Sequence, residues 1–485
     1  MTSKVMLMRF TKIVCTVGPA TDSDDKLKKL IDYRVDIIRL NLSHGTHEYH
    51  KDVIKRVRSA SNKTAIMLDT KGPEIRTDEL KSPFHIKKKQ VVILSTKGTD
   101  TDKGIIKQDC KSLPKGVKKD DIILIDDGMI ELRVLSKTKD SIKCLSLSET
   151  VLGSRKSLVV PGAKINLPDL TEQDYKDIEF GIKQGVDFIA LSLVKKASIV
   201  AKVKSMIEKA GKNISVIAKI EHPDGVHNLG EILEVSDGIL VARGDLGLNV
   251  DVQRVPIIQK KIIRKANEFG KPVIVATQML ESMVNATRPT RAEVSDVANA
   301  ILDGADAVML SEETAAGKYP MHAVREMICI IEITDPLLKR KDYEIQKKSI
   351  PEAISRSVAE LVDVLDIKAL FAPTVGGFTP VIISKYRPKA PIFALSKNLS
   401  VMRKMAIVRG VFQYDNSSKR GMLYNALSSA YKNKIVDLND LIIVVFNHDV
   451  KNIKTTNCLE IRVVGEILKP ELYHRKDISH SHHGR

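Results

Sequence analysis

Eight short apolar runs rich in β-branched residues recur along the first two thirds of the chain. They read KIVCTV, VDIIRLNLS, TAIMLDT, VDFIALSL, SVIAKIE, DGILVARGD, KPVIVATQ and ADAVMLSEE. Intervening segments such as VPIIQKKIIRKANEF and RAEVSDVANAIL carry apolar residues at helical spacing. This alternation predicts an α/β protein with a closed parallel (β/α)8 TIM barrel, and a doubly wound open sheet is the alternative. Thr290 and Glu293 form a capping-box pattern that places the start of one helix.

The barrel pattern is interrupted after TAIMLDT by a stretch of alternating apolar and polar residues. Within it, IILIDDGMIELRVL places Asp127-Gly128 between two strand patterns, which is typical of a type I′ hairpin. The sequence therefore predicts a barrel over residues 1–72 and 163–340, with a β-barrel lid domain inserted at residues 73–162.

A charged stretch, LLKRKDYEIQKK, follows Asp335-Pro336 and is a linker by composition. Strand patterns then resume as KALFAPTVGGFTPVIIS, APIFALS, DLIIVVF and CLEIRVV. They predict a doubly wound α/β domain over residues 345–468. Residues 469–485 are polar and lack periodicity, so their histidines indicate a disordered tail rather than a metal site.

The composition limits the classes of partner. The 485 residues carry a formal net charge of +18, but the lysines are scattered and no Trp is present to stack on bases, which favours a basic solvated surface over a nucleic-acid site. Five cysteines without a C-x-x-C pair indicate a reduced, cytoplasmic protein without a zinc site. No apolar run approaches the roughly 18 residues of a membrane span, and no secretory signal is recognisable, so we expect no membrane association.

Polar residues follow the predicted strands at their carboxyl ends, which meet on one face of a parallel barrel. They are Arg39, Asn41, Ser43, Asp69, Thr70, Ser192, Lys219, Glu221, Arg243, Asp245, Thr277, Gln278, Ser311 and Glu313. Lys219, Glu221 and Asp245 are expected to meet over a common mouth. The two carboxylates suit Mg²⁺ or Mn²⁺, whereas the alternative is two exposed carboxylates, or one bonded to Lys219.

A second group of oxygen-bearing residues lies on neighbouring strand ends: Asn41, Ser43, Asp69 and Thr70. Its mixture of amide, hydroxyl and carboxylate suits a large monovalent cation, although capping and turn roles are favoured from spacing alone. Gly244-Asp245-Leu246-Gly247, flanked by Arg243, is placed to open a short helix whose N–H groups hold a carboxylate or phosphate.

Seven longer blocks resemble the signature blocks of the pyruvate kinase family, in its order and over nearly the whole chain. They are NLSHGTHEYH with Arg39, LDTKGPEIRT, IAKIEHPDG, VARGDLG, VATQMLESM, RPTRAEVSDVANAILDGADAVML and SEETAAGKYP. The resemblance implies phosphoryl transfer from phosphoenolpyruvate to ADP, giving ATP and pyruvate in the last step of glycolysis. It also implies a barrel with a β lid and a C-terminal α/β domain, assembled as a cytoplasmic homotetramer.

By this resemblance, Lys219 is the catalytic lysine that neutralises the migrating phosphoryl group, whose charge must be matched throughout transfer. Glu221 and Asp245 correspond to the divalent metal ligands. Gly244, together with Asp245, offers backbone groups to the substrate carboxylate.

The resemblance assigns Arg39 to the substrate phosphate and Thr277 to the enolate face, as a candidate in a proton relay. Arg76 and Asn41 correspond to nucleotide contacts. The family's potassium ligands correspond to Asn41, Ser43, Asp69 and Thr70. Glu74 occupies a position where family members that need a monovalent cation generally carry Glu, so K⁺ dependence is expected.

The chain departs from the family pattern at several positions. Gln173 replaces a lysine in the block Thr171 to Asp174 and leaves one ADP contact without charge. Leu193 replaces a common Phe and Glu312 a common Gly. The segment from Pro373 to Thr379, PTVGGFT, resembles an effector phosphate loop. Its Gly-Gly in place of Ser-Gly leaves a turn without ligand equally favoured, so an allosteric effector stays open.

Two other functions remain in view. A different Mg²⁺-enolate barrel, such as an aldolase or lyase acting on pyruvate, would share the metal carboxylates but would need neither Arg76 nor the lid. A nucleic-acid-associated protein that kept an enzyme fold would use the basic surface instead.

Overall fold

The computed structural model describes residues 8–341, 343, 349–414, 421–447 and 456–470. The first part of the barrel alternates strands and helices. Its elements are β1 Lys12–Thr16, α1 Asp24–Asp32, β2 Ile37–Asn41, α2 His47–Ala60 and β3 Ala65–Asp69. The strands are buried along almost their whole length, because helices cover one face and the barrel interior covers the other.

The lid insert follows β3 and is built almost entirely from short strands. Its elements are β4 Ile75–Arg76, β5 Phe84–Ile86, β6 Val91–Ser95, β7 Ile105–Lys107, α3 Leu113–Gly116, β8 Ile122–Ile125, β9 Ile130–Lys137, β10 Ser141–Ser146, β11 Thr150–Leu152 and β12 Ser157–Val159. Seven strands form one sheet in the order β4-β12-β8-β9-β10-β6-β7, and β11 pairs with β5. The β8–β9 hairpin turns at Asp127 and Gly128 with φ of 52° and 86°, the positive values that a type I′ turn requires.

The second part of the barrel completes the alternation. Its elements are α4 Glu172–Gln184, β13 Phe188–Leu191, α5 Ala197–Lys209, β14 Ser215–Ile220, α6 Pro223–His227, α7 Leu229–Val235, β15 Gly238–Ala242, α8 Arg243–Asn249, α9 Val255–Glu268, β16 Val273–Ala276, α10 Arg291–Asp303, β17 Ala307–Leu310, α11 Glu312–Ala315 and α12 Pro320–Thr334. The eight strands close in the order β1-β17-β16-β15-β14-β13-β3-β2, all parallel. The predicted TIM barrel is therefore confirmed against the open-sheet alternative, and the capping box of Thr290 and Glu293 forms at the start of α10.

One buried carboxylate joins the two points where the chain leaves and re-enters the barrel. Asp174, in the first turn of α4, accepts hydrogen bonds from the backbone N–H of Gly72 at 2.9 Å and from the backbone N–H and hydroxyl of Thr171 at 2.8 and 2.7 Å. Gly72 has a φ of +78°, and an added Cβ would lie 2.7 Å from the Cβ of Ser192. Only glycine suits this exit from the barrel.

The C-terminal domain is an α/β sheet with one antiparallel edge. Its elements are α13 Ile350–Val364, β18 Ala369–Pro373, α14 Phe378–Lys385, β19 Ile392–Leu395, α15 Leu399–Lys404, β20 Val411–Tyr414, α16 Met422–Lys432, β21 Leu441–Phe446, β22 Cys458–Val463 and α17 Val464–Leu468. The order is β20-β19-β18-β21-β22, with β22 antiparallel to β21. The predicted α/β domain is confirmed, whereas β20 was not predicted. The tail beyond residue 470 lies outside the described residues.

The C-terminal domain packs against the amino ends of the barrel strands. Arg387 binds both carboxylate oxygens of Asp306, which precedes β17, at 2.9 and 2.8 Å and also donates to the amide oxygen of Asn267 at 2.6 Å. Arg409 contacts Asp335 at 3.0 Å. The lid insert lies at the opposite end of the barrel, where the polar residues at the carboxyl ends of the strands lie. In the described ranges no helix is long and apolar enough to cross a membrane.

Candidate active site

A cavity of about 270 Å³ opens at the carboxyl ends of the barrel strands, beside the lid insert. Most of the residues predicted for the site line it: Arg39, Asn41, Ser43, Thr70, Arg76, Lys219, Glu221 and Asp245. Asp69 lies behind this surface, fully buried, in contact with Lys219. Gly244 and Thr277 are not among the lining residues, and they contact each other through the Gly244 N–H and the Thr277 hydroxyl.

Lys219 is fixed at the wall of the cavity by three oxygen atoms. Its Nζ lies 2.9 Å from Oε1 of Glu221 and 3.0 Å from Oδ1 of Asp69, and it donates to the hydroxyl of Ser192 at 2.6 Å. Burial acts to lower the pKa of Lys219, but the charges of Asp69 and Glu221 outweigh it and hold that pKa above its ordinary value. The ammonium group is therefore permanently charged and oriented.

Arg39 and Asp69 form a second buried contact beside this lysine. The Nε and Nη2 atoms of Arg39 both lie 2.7 Å from Oδ2 of Asp69, and Nη1 donates to the hydroxyl of Thr16 at 2.9 Å. Burial raises the pKa of Asp69, yet the charges of Lys219 and Arg39 bring it below the ordinary value. Two cations are thus held side by side over one carboxylate, which is the charge arrangement that a phosphate group needs.

Glu221 and Asp245 are carboxylates that disfavour each other's charged form. Burial is the main cause that raises the pKa of each, and for Glu221 the charge of Asp245 adds to it. Oε2 of Glu221 accepts from the backbone N–H of Leu193 at 2.6 Å. A divalent cation between the two carboxylates would stabilise both charges, so the residues present fit Mg²⁺ or Mn²⁺.

The protein supplies few ligands for such an ion. Among the described residues no group of three or more His, Cys, Asp or Glu side chains is placed to hold a metal. Water and substrate oxygens would therefore complete the shell around Glu221 and Asp245. Mg²⁺ usually binds in this way in enzymes that act on phosphates.

Thr277 follows β16 in a strained backbone conformation. Its φ is +66° and that of Gln278 is +53°, values that are rare for a β-branched residue and its neighbour. The Thr277 hydroxyl accepts from the backbone N–H of Gly244 at 2.8 Å and donates to the carbonyl of Ala276 at 2.6 Å. This contact ties the end of β16 to the first turn of α8.

Arg243 is directed away from the cavity. It donates to the carbonyls of Thr277 and Gln278 at 2.7 and 3.1 Å, and it lies 2.5 Å from a carboxylate oxygen of Asp296. The Arg243 side chain therefore contributes no group to the anion site expected at Gly244. Its role in the structure is to hold the strained turn after β16.

The four residues predicted as monovalent ligands lie on the adjacent ends of β2 and β3. The Asn41 side-chain oxygen accepts from the backbone N–H of Ser43 at 3.1 Å, which satisfies the turn role noted from the sequence. The carbonyl of Thr70 accepts from the hydroxyl of Ser192 at 2.7 Å. Asp69 is shared with Lys219 and Arg39, as described above.

The residues predicted to contact the nucleotide are engaged with protein partners. Arg76 donates to Oε2 of Glu74 at 2.9 and 2.6 Å and to the carbonyl of Arg155 at 2.8 Å. Gln173 donates to Oδ1 of Asp177 at 2.8 Å, beside a contact from His47 to the same atom at 2.7 Å. Gln173 is therefore oriented toward its own helix and adds no charge to the site.

Several residues at the site were not assigned a role from the sequence. Ser192 connects Lys219 to the carbonyl of Thr70, and its position at a strand end was the available signal. Asn249 donates to the carbonyls of Glu221 and Asp245 at 3.0 and 2.9 Å, thereby linking the two predicted metal-binding segments. No pattern in the sequence identifies such a contact. Glu312 is exposed in the first turn of α11 and lies outside the cavity lining.

The whole chain is similar to proteins of one family. The family model described as pyruvate kinase, barrel domain, matches residues 8–324, and the one described as pyruvate kinase, alpha/beta domain, matches residues 352–462. The chain is 44% identical over 478 residues to pyruvate kinase of Geobacillus stearothermophilus and 43% identical over 485 residues to that of Bacillus licheniformis, covering 95% of this chain and 81% of each relative. A solved pyruvate kinase structure from Cryptosporidium parvum superimposes with a TM-score of 0.86 and 37% identity, over 94% of this chain and 96% of that one.

Proposed function

Because the chain belongs to the pyruvate kinase family, we propose that it transfers the phosphoryl group of phosphoenolpyruvate to ADP, giving ATP and pyruvate, with Mg²⁺ and K⁺. The observation that carries this proposal is the position of Lys219. Its ammonium group is held between Glu221, Asp69 and Ser192 on the wall of a cavity that also contains Asp245. Such a fixed cation beside two metal-binding carboxylates suits phosphoryl transfer.

Arg39 and Lys219 bind the phosphoryl group of the substrate. Both are buried and already hydrogen-bonded to Asp69, so neither must be reoriented as charge shifts during transfer. A divalent ion on Glu221 and Asp245 supplies positive charge to the phosphate and the enolate oxygens when it is bound. In this proposal the first turn of α8, which begins at Arg243, offers the backbone N–H of Asp245 to the substrate carboxylate, because the N–H of Gly244 already donates to the Thr277 hydroxyl.

Thr277 is the candidate for delivering a proton to the enolate. Its hydroxyl is held between the N–H of Gly244 and the carbonyl of Ala276, so a hydroxyl oxygen is oriented at the end of β16. A threonine does not ionise near neutral pH, and its most direct role is to order the water that carries the proton.

Asn41, Ser43, Asp69 and Thr70 are proposed to bind K⁺. Glu74 lines the same cavity as Asn41, Ser43 and Thr70 and pairs with Arg76 at 2.6 Å. Arg76 and Asn41 are proposed to contact the nucleotide from the side of the lid insert. Gln173 gives no charge there, so ADP is held by fewer cations than the family pattern provides.

Regulation and assembly are proposed from membership of the family. In the loop 373–379, the hydroxyl of Thr374 accepts from the N–H of Gly377 at 2.8 Å, and the Thr379 hydroxyl is bonded to that of Thr456 at 2.8 Å. These internal bonds support the turn without ligand, and an effector phosphate would have to displace them. We further propose a cytoplasmic homotetramer, which analytical ultracentrifugation would test.

A coupled assay tests the activity. With phosphoenolpyruvate, ADP, Mg²⁺ and K⁺, the pyruvate produced is followed by lactate dehydrogenase and NADH. We expect turnover that requires both cations, and no turnover with both present would refute the proposal. Calorimetric binding of ADP separates this function from that of an aldolase or lyase, which would not bind the nucleotide.

A further inference from the structure

Three lysines from separate elements lie near the amino ends of β14 and β15: Lys204 and Lys271 contact the segment between α7 and β15, and Lys404 contacts the segment before β14. Lys204 of α5 lies 2.7 Å from a carboxylate oxygen of Asp237 and donates to the carbonyl of Val235 at 2.9 Å. Lys271, before β16, donates to the carbonyl of Ser236 at 2.6 Å. Lys404, the last residue of α15 in the C-terminal domain, donates to the side-chain oxygen of Asn213. We call this group the three-lysine cleft.

The cleft carries more positive charge than its neighbours neutralise. Lys204 has a carboxylate partner, whereas Lys271 and Lys404 donate to neutral amide oxygens. Burial lowers the pKa of both Lys271 and Lys404, and the charge of Asp237 only partly opposes it. A neutral hydrogen-bond acceptor offsets only a small part of the free-energy cost of burying an ammonium group.

Asp187, a further carboxylate at the amino ends of the barrel strands, is already paired with two arginines. Asp187, which precedes β13, lies 2.6 Å from Arg58 and 2.7 Å from Arg403. It also accepts from the backbone N–H of Ile66 at 2.8 Å. Two cations therefore accompany Asp187, and the charge surplus of the cleft is not cancelled from that side.

A purely structural explanation covers only part of the arrangement. The carbonyls of Val235 and Ser236 lie at the carboxyl end of α7, where cations are favoured by the helix dipole. This accounts for Lys204 and Lys271. It does not account for Lys404, which belongs to the C-terminal domain and, among the residues that the structure describes, has Asn213 as its hydrogen-bond acceptor.

We propose that the three-lysine cleft binds a small phosphate dianion, either inorganic phosphate or a phosphate monoester. A dianion matches the two ammonium groups that lack a carboxylate, and phosphate oxygens accept several hydrogen bonds at once. Solvent reaches this group of side chains, since that of Lys204 is 32% exposed and that of Asp237 is 31% exposed. Lys271 and Lys404 are also partly exposed.

The location gives the proposed site a role separate from catalysis. It lies at the amino ends of the barrel strands, whereas the active-site cavity is at their carboxyl ends. It also differs from the loop 373–379. Because Lys404 belongs to α15 and Lys271 to the barrel, a bound dianion would add a contact between the barrel and the C-terminal domain.

Isothermal titration calorimetry of the full chain with inorganic phosphate, at an ionic strength held constant with chloride, tests the proposal. We expect the dissociation constant to rise at least tenfold in Lys404→Met and in Lys271→Met. It should stay within twofold in Lys209→Met, which removes an exposed lysine from α5. If Lys404→Met does not fold, Lys204→Met takes its place, because its side chain is nearer the surface.

Two further titrations distinguish this site from the catalytic site and identify the source of the phosphate. Binding should persist in Lys219→Met, whatever the activity of that variant, because the cleft does not include Lys219. Tighter binding of glycerol phosphate than of inorganic phosphate identifies an ester as the ligand, and weaker binding identifies free phosphate. Absence of phosphate binding, equal binding by Lys404→Met and wild type, or loss of binding only in Lys219→Met would each overturn the proposal.

Discussion

Replacing Lys219 by Met removes the one cation that bridges Glu221 and Asp69. In the wild-type site, Lys219 contacts Asp69 and Glu221 and interacts with the charge of Asp245, whereas Arg39 contacts Asp69. After the replacement Arg39 still pairs with Asp69, but Glu221 loses its cationic partner and Asp245 loses a neighbouring positive charge. Asp69 keeps its two hydrogen bonds from Arg39, whereas Glu221 keeps only the backbone N–H of Leu193.

This change has opposite effects on catalysis and on metal binding. Loss of one preorganised hydrogen-bond donor to a developing charge lowers kcat by about 10²- to 10³-fold. This corresponds to a loss of about 2.7–4 kcal/mol of transition-state stabilisation. The divalent cation, however, meets a more negative site, so its affinity should be at least that of the wild type. A structural role for Lys219 alone would instead weaken metal binding together with activity.

The coupled lactate dehydrogenase assay measures kcat, and electron paramagnetic resonance of Mn²⁺ measures metal affinity. Lys196→Met is the matched control, because Lys196 lies in the loop after β13, outside the cavity lining, and forms a half-exposed pair with Asp169 at 2.7 Å. Its kcat should stay within twofold of wild type. A Lys219→Met enzyme with kcat within fivefold of wild type, or one that has lost Mn²⁺ binding, would refute the reasoning.

Three other replacements test neighbouring parts of the site. Glu74→Lys introduces an ammonium group beside the proposed monovalent site, and we expect activity without K⁺ to rise at least tenfold in an assay with tetramethylammonium as the counter-ion; unchanged K⁺ dependence would count against the assignment. Gln173→Lys restores a charge on the nucleotide side and should lower the KM for ADP severalfold with little change in kcat, measured by the same assay; an unaltered KM would show that this position does not face ADP. Gly72→Ala brings a Cβ to 2.7 Å from Ser192 at a φ of +78°, so it should reduce the free energy of unfolding in urea by about 1–3 kcal/mol. Gly211→Ala, at a φ of +64° with open space around it, is the control, and an equal loss in both would show that the close approach to Ser192 is unimportant.

The barrel could be predicted because its strands are buried on both faces and therefore read as continuous apolar runs. The same logic failed for β20, Val411–Tyr414, which has only four residues and is mostly half-buried. Its pattern, VFQY, does not differ from that of a loop. Propensity and periodicity also carry no information on the order of strands in the lid insert, which long-range pairing decides.

The residues of the site were predicted from the topology of a parallel barrel more than from the spacing of residues in the sequence. The rule that strand ends meet on one face placed Lys219, Glu221 and Asp245 around one cavity. The direction of a side chain at a strand end depends on its neighbours in the folded protein. Arg243 consequently turned toward the carbonyls of Thr277 and Gln278 instead of the cavity.

The carboxylate of Asp174 restricts how the lid insert can move. Since it binds Gly72 on the outgoing segment and Thr171 on the returning one, both segments are anchored to the same point at the start of α4. Any rotation of the insert must be accommodated beyond these two residues. Movement of the insert would then displace Arg76 relative to the barrel, whereas the oxygen atoms proposed for K⁺ stay with the ends of the barrel strands.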